Sequence, residues 1–344
     1  MFRVNAKTKI YVAAPANVAT GGPELLHQLV AELRLQGLDA MMLYYNRSPQ
    51  EDPVHEAYKQ YACPYDDVAQ DDSSNILIVP EVRTKLLFQY KAIQKSIWWL
   101  SVDNYYKKFK TTKPLKKYSR GGLRWLGLIE QEYFFVKKQP EKYLHFVQSH
   151  YAAEYLFSKG VARERVYYLS DYLNDFFIKN QLNSLIKKEN IVAYNPKKGI
   201  DFTGQLIAYA KDLSFVPIEN MTREQVAALL SRAKVYIDFG NHPGKDRIPR
   251  EACISGACII TNKAGAAAYF EDLPIPAAYK FDGKTSELEV LSSLIRACYS
   301  EFEERSKSFD EYREFIMREQ SRFAADVTKI FSGPDADLPH ETRS

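Results

Sequence analysis

Cysteine is scarce in this chain, and what there is does not cluster. Four residues are cysteine (Cys63, Cys253, Cys258 and Cys298), with no CxxC and no His/Cys ligand cluster. This argues against a structural zinc site and fits a reducing, cytoplasmic setting. Long apolar runs are missing too. No stretch of about 18 apolar residues occurs, so no membrane-spanning helix is expected. The opening "MFRVNAKTKIYVAAPA" lacks an apolar signal core followed by a cleavage site. Charge of one sign is not in excess. The net charge is +4, too small to make nucleic acid the main partner. GxGxxG and the P-loop pattern are absent from the glycine-bearing loop near the start, and no DxD triplet stands out as a metal site.

What is present describes a globular protein of two domains. The chain has 344 residues, 46% hydrophobic and 26% charged. Short apolar segments alternate with helical patterns, the mark of parallel α/β sheets. "KIYVAA" (9–14), "AMMLYY" (40–45), "NILIVP" (75–80), "SIWWLS" (96–101) and "LHFVQS" (144–149) read as strands. "VYYLS" (166–170) either ends this sheet or leads into a linker. "GGPELLHQLVAELRLQG" (21–37) reads as a helix with Leu25, Leu26, Leu29, Val30 and Leu33 on one face. A loop of about 30 residues after Tyr45 is long enough to suggest a function or an extra helix. A second series follows a boundary near 172–189. Its strands are expected within 190–199, 213–220, 234–240, 257–262 and 277–282, with a capped helix at 221–233 and a short helix starting at Pro249. The organisation predicted is α/β, with two Rossmann-like domains, 1–172 and 173–310, facing across a cleft. A C-terminal helix (311–332) and a flexible tail (333–344) complete it.

In open parallel sheets ligands sit at the carboxyl ends of strands, so the loops there are the candidates. Gly21 and Gly22 precede a helix start, where free amides suit an anion or hydroxyl; a plain turn and cap is the other reading. "NPKKG" places Asn195, Lys197 and Lys198 beside a glycine turn, suited to a diphosphate or simply solvated. "DFGNHPGKDRIPREACISG" (238–256) is the densest loop. It holds His242, Gly244, Lys245, Asp246 and Arg247, then Arg250 and Glu251 in the expected first turn of the Pro249 helix. Arg247 and Arg250 suit phosphate or carboxylate oxygens. Glu251 suits two ribose hydroxyls, or a pairing with Arg247, with Asp246 on Lys245.

The segments Thr222–Ala233, Val235–Phe239, Pro249–Ile260 and Gly265 resemble, in order, the donor half of glycosyltransferases with the GT-B fold. There a "T-x-E-x-V-x-x-L-L-x-x-A" helix leads through a strand and loop to "P-x-E-A-x-x-x-G-x-x-V-I". "GG" before the first helix and residues 145–171 resemble the superfamily's other half. The resemblance implies that Glu251 binds the donor ribose. The Gly265 turn would lie near the diphosphate, with Lys197 and Lys198 as basic ligands and Glu219 near the nucleobase. It has one departure. Pro243 stands where retaining members carry a second glutamate, eight residues before the ribose glutamate, which leaves its work to His242, Lys245 and Asp246. A His-Pro pair also occurs in members that use CMP-sugars.

The function expected is therefore metal-independent, hexosyltransferase-like transfer of a sugar from a nucleotide-sugar to a glycan or lipid-linked acceptor. Its setting would be bacterial surface polysaccharide or lipopolysaccharide assembly. The nucleotide-sugar is a substrate, and no cofactor is expected. The alternatives are a CMP-sugar transferase and an inactive GT-B partner that binds nucleotide or glycan. An inverting reaction needs a base on the first domain. Asp103, beside Asn104 past "SIWWLS", comes first, then His150, then Glu81. Residues 105–128 are basic and aromatic, suited to an anionic membrane surface or an acidic acceptor, or simply solvated. The chain is expected in the cytoplasm, peripheral at the inner face of the membrane.

Overall fold

The computed structural model describes residues 2–48, 50–110, 142–180 and 186–332. Their contacts divide the chain into two units. One holds residues 1–148, 152–171 and 321–344; the other holds 149–151 and 172–320.

The first unit is built on β1 (Lys9–Pro15), β2 (Asp39–Tyr45), β3 (Tyr65–Asp66), β4 (Ile76–Pro80), β5 (Gln94–Trp99), β6 (Leu144–Val147) and β7 (Val166–Tyr168), with α1 (Gly21–Leu35), α2 (Val102–Lys110) and α3 (His150–Ser158). The sheet order is β3-β2-β1-β4-β5-β6-β7. Each neighbouring pair is parallel. Ile10 to Ala14 are all fully buried, as a central strand covered on both faces requires. On α1 the apolar stripe read from the sequence, Leu25 to Leu33, is buried against the sheet. The segment "VYYLS" is the last strand of this sheet. The long loop after Tyr45 contains the short edge strand β3 and a 3₁₀ turn over Glu56–Tyr61. Two residues of strand leave no period to read, which is why the sequence did not reveal β3. Asp71 in that loop accepts the amides of Lys91, Ala92 and Ile93, which fixes the bend before β5.

The second unit contains α4 (Asp175–Asn180), β8 (Glu189–Tyr194), α5 (Ile200–Tyr209), β9 (Ser214–Pro217), α6 (Arg223–Arg232), β10 (Ala233–Asp238), α7 (Arg247–Ile254), β11 (Cys258–Asn262), β12 (Lys280–Phe281), α8 (Leu288–Ser300), α9 (Phe302–Lys307), α10 (Asp310–Met317) and α11 (Glu319–Phe331). Its strands lie in the order β12-β11-β10-β8-β9, all parallel. The box expected at α6 is complete: the Gln225 amide donates to Thr222 Oγ1 and the Thr222 amide to Gln225 Oε1. The region 311–332, expected as one helix, is divided between α10 and α11. Residues 321–332 belong to the first unit, where Phe331 stacks on Phe2 at 5.7 Å.

Strand order locates the crevices. The first sheet reverses direction of growth between β1 and β4, and the second between β8 and β10. At such switch points the loops leave to opposite faces and open a space at the carboxyl ends.

Candidate functional site

Around the switch point of the second sheet, three loops leave the adjacent strands β8, β10 and β11 and touch one another. Gly199, at φ +59, lies against the next loop so closely that a Cβ would stand 2.2 Å from the Phe239 carbonyl oxygen. Gly265, at φ +53, would put a Cβ 2.1 Å from the His242 carbonyl oxygen. Only glycine combines that backbone with that approach. The Ala266 amide donates to the His242 carbonyl at 2.8 Å, and Asn262 Nδ2 donates to that of Gly240 at 2.8 Å. Phe202 packs edge-on against Phe239 at 4.7 Å.

Inside this frame lies a polar cluster in which Asp238 and His242 are buried and Asp246 and Lys198 are half-buried. Asp238 Oδ1 accepts the Gly240 amide at 2.9 Å, and Oδ2 accepts the Tyr236 hydroxyl at 3.0 Å. His242 Nε2 lies 3.3 Å from the Asp238 carbonyl oxygen and 3.8 Å from Oδ1, while Nδ1 faces Asp246 Oδ2 at 3.1 Å. Lys198 Nζ donates to Asp246 Oδ1 at 2.8 Å. Burial opposes charge on His242, but the Asp246 contact and the field of Asp238 outweigh it and raise its pKa. Burial likewise opposes ionisation of Asp246, and the contact with His242 and the field of Lys198 outweigh it, lowering its pKa. His242 also adopts φ +39, a strained backbone of the sort that gathers at functional sites.

Asp238, His242 and Asp246 bring ligand atoms within 4.8 Å of one another, so a metal ion must be considered. In this structure those groups are turned toward one another and toward Lys198. The two imidazole nitrogens face different carboxylates, and Lys198 takes the other oxygen of Asp246. Lys198 and His242 thus engage the two carboxylates from within the protein.

The loop corrects several expectations. Helix α7 begins at Arg247, with Asp246 as its N-cap residue, so Pro249 is third in the helix and Glu251 lies beyond the first turn. Proline is tolerated there because the first amides of a helix have no internal partner. The Asp246 side chain does not cap α7; it turns to His242 and Lys198, not to Lys245. Lys245 and Arg250, expected at the donor, point inward. Their side chains are 2% and 1% exposed, and both bind Glu319, at 2.9 and 2.8 Å. Arg247 and Glu251 are half-buried, Gly244 is buried, and Lys197 and Glu219 are exposed. Asn195 Oδ1 accepts the Lys197 amide at 3.0 Å, which fixes the turn. Asp238, Tyr236 and Glu319 were not singled out from the sequence. Asp238 ends a strand, a position that signals a site; Glu319 carried no signal at all.

In the first unit, Gly21 and Gly22 open α1, whose N-cap Thr20 makes no side-chain cap bond. Asp103 lies in the first turn of α2, half-buried, and the exposed Asn104 donates its amide to Ser101 Oγ at 3.2 Å. Glu81, 3% exposed at the end of β4, accepts the Leu100 amide at 3.0 Å. It is thus a brace for the loop that carries Asp103. His150 groups with the second unit, where Asp272 accepts the amides of His150 and Tyr151 at 2.7 and 2.9 Å. Of the basic stretch 105–128, residues 111–128 lie outside the described residues. In the second unit a cavity of about 830 Å³ opens at the opposite, amino ends of the strands. Lys188 there is committed to the carbonyls of Leu230, Ala233 and Ser255, so the cavity is separate from the loop cluster.

Burial raises the Glu81 carboxyl from 4.5 to about 7. A carboxyl raised on folding adds stability below its unfolded pKa and loses it as pH rises through the folded one. Above pH 7 a buried charge therefore weakens the fold by up to about 3 kcal/mol. Glu81→Gln is expected to unfold at higher denaturant than the parent at pH 8, and at nearly equal denaturant at pH 4. Equal midpoints at both pH values would contradict the burial argument.

Solved structures share this fold. HepE of Anabaena, solved with UDP-glucose, superposes with TM-score 0.60 at 11% identity, covering 94% of this chain and 99% of that one. A glycosyltransferase of Rickettsia africae gives TM-score 0.64 at 11% identity over 95% and 98%. WaaG, a glycosyltransferase involved in lipopolysaccharide biosynthesis, gives 0.54 at 11% over 93% and 99%. The fold is GT-B. No family model and no curated protein matches the chain by sequence. At these identities the likeness extends to the GT-B architecture alone. No described helix is long and apolar enough to cross a membrane.

Proposed function

We propose that the chain is a glycosyltransferase whose second unit binds a nucleotide-sugar and whose first unit presents an acceptor, glycan or lipid-linked, in surface polysaccharide assembly. The observation that carries this is the set of three interlocked loops at the β8/β10 switch point, with Lys198 and His242 fixed on Asp246. Lys197, Lys198 and the first amides of α7 face the developing charge of the departing phosphate, and Glu251 takes the ribose. With Asp246 held by Lys198 and His242, leaving-group stabilisation rests on the loop lysines and the helix amides. For an inverting transfer, Asp103 accepts the acceptor hydroxyl proton as that oxygen bonds to the anomeric carbon and the bond to phosphate breaks. The work is placed in the cytoplasm, at the inner membrane face.

A thermal-shift panel with UDP, GDP, TDP and CMP tests the donor reading. At a hundredfold excess over Kd, one nucleotide is expected to stabilise the protein by about 2.7 kcal/mol. Lys198→Ala is expected to remove most of that shift. A blank panel ends the donor reading; a CMP response selects the CMP-sugar transferase. Binding without any release of nucleotide from its sugar would favour the inactive partner, consistent with Pro243 in place of a glutamate.

A further inference from the structure

Arg83 lies at the other switch point. It follows β4 by three residues, and its backbone breaks the 3₁₀ turn there, at φ −127 and ψ 28. Its guanidinium stacks over the ring of Tyr45, 4.8 Å from the centroid. Tyr45 ends β2, and β1 lies between β2 and β4. Neighbouring strands are about 4.8 Å apart, so the two side chains together span the carboxyl end of β1, where a parallel sheet opens its crevice.

What Arg83 does there is not structural pairing. Its Nε is sealed from solvent and has no hydrogen-bond acceptor among the described residues. Among the described residues no carboxylate lies within ion-pair distance of the guanidinium, in contrast to Arg47, which pairs with Asp67. The Tyr45 hydroxyl likewise has no protein hydrogen-bond partner among the described residues, and burial pushes its pKa up to about 12, so it remains a donor. Glu81 is the carboxylate whose field reaches Tyr45, but its oxygen is turned away to the Leu100 amide. A forked cation and a phenol, half-buried and side by side, offer donors to a single oxyanion. A buried donor without an acceptor is costly, and a ligand oxygen would relieve that cost.

We propose that Arg83 and Tyr45 form an oxyanion site in the first unit, which selects an acceptor bearing a phosphate or carboxylate group. The inference rests on the transferase reading for the word acceptor, but the anion site itself does not. The test uses the full chain carrying Lys198→Ala, which removes the chief cation of the second unit's loops. Methyl phosphate and glucuronate are titrated separately by ligand-observed NMR. At least one is expected to bind, and Arg83→Gln to weaken it about tenfold or more. Tyr45→Phe should weaken it less, and Arg83→Lys should retain part of the affinity, which shows that loss in Arg83→Gln is not unfolding. Arg163→Gln, an exposed guanidinium stacked on Phe157, is expected to change nothing. Binding of methyl phosphate alone identifies a phosphate-bearing acceptor, and of glucuronate alone an acidic sugar. No binding of either, or equal binding by Arg83→Gln, overturns the proposal. Failure of the donor reading registers separately, in the nucleotide panel, which Arg83→Gln should leave unchanged.

Discussion

Glu319→Ala is expected to cost the fold about 3–5 kcal/mol, the range seen when one partner of a buried ion pair is removed. Glu319 opens α11 with its side chain 2% exposed, and it serves two cations at once, Lys245 and Arg250. Losing it leaves both ammonium and guanidinium in the interior without their shared carboxylate. Arg250 keeps carbonyl contacts to Lys245 and Asp246, and Lys245 keeps the Phe315 ring at 5.2 Å. Neither compensates for an absent negative charge in a low-dielectric setting. Asp272, whose field also reaches Lys245, is already engaged by two backbone amides. The damage should extend to the site, because residues 245–250 anchor the loop that carries His242 and Asp246. Urea unfolding of Glu319→Ala beside Glu319→Gln measures it. Gln keeps one acceptor and should fall between the two. A loss below about 1 kcal/mol would show that the cations relax to water at little cost.

Asp103→Asn is expected to lower the rate of sugar transfer by about 10²–10⁴-fold, the usual contribution of a general base. Amide replaces carboxylate with almost no change of shape, so helix α2 and its Ser101 contact should survive. The nucleotide-induced thermal shift should survive as well, since the residues proposed to bind the donor belong to the second unit. Release of nucleotide from the donor that the panel selects, with water or an acceptor as recipient, gives the readout. Unchanged turnover would remove Asp103 from the role. A lost thermal shift would instead assign it to donor binding. Glu81, third among the base candidates, is better placed to hold the Leu100 amide than to meet a substrate, because its carboxyl is sealed inside.

How much of this was legible in the sequence depends on range. The strands could be read because β-branched and aromatic runs such as "KIYVAA" and "KVYIDF" are complete local signals, and α1 because five apolar residues repeat at helical spacing. The capping box at Thr222 and Gln225 is a contact over three residues. The start of α7 was misplaced by two residues because Pro249 suits the first helical position but is also tolerated at the third. Lys245 and Arg250 were assigned to a ligand because polar groups in a loop past a strand's carboxyl end are the usual site of an α/β protein. The partner that buries them, Glu319, lies 74 and 69 residues away, and no spacing rule connects positions so far apart.

The sequence by itself determined the order of elements, the two-domain α/β plan and the stretch in which charge gathers, 238–256. Those follow from neighbours a few residues apart, whose side chains share a face whatever the rest of the chain does. Only the tertiary structure decided which charges face a ligand and which face each other. Asp246 turned from capping its helix to binding Lys198 and His242, and Arg83 settled on Tyr45 with no carboxylate at ion-pair distance among the described residues. Such choices depend on strand order, which brings β8 beside β10 and separates β2 from β4 by one strand, and strand order is fixed by packing across the whole sheet.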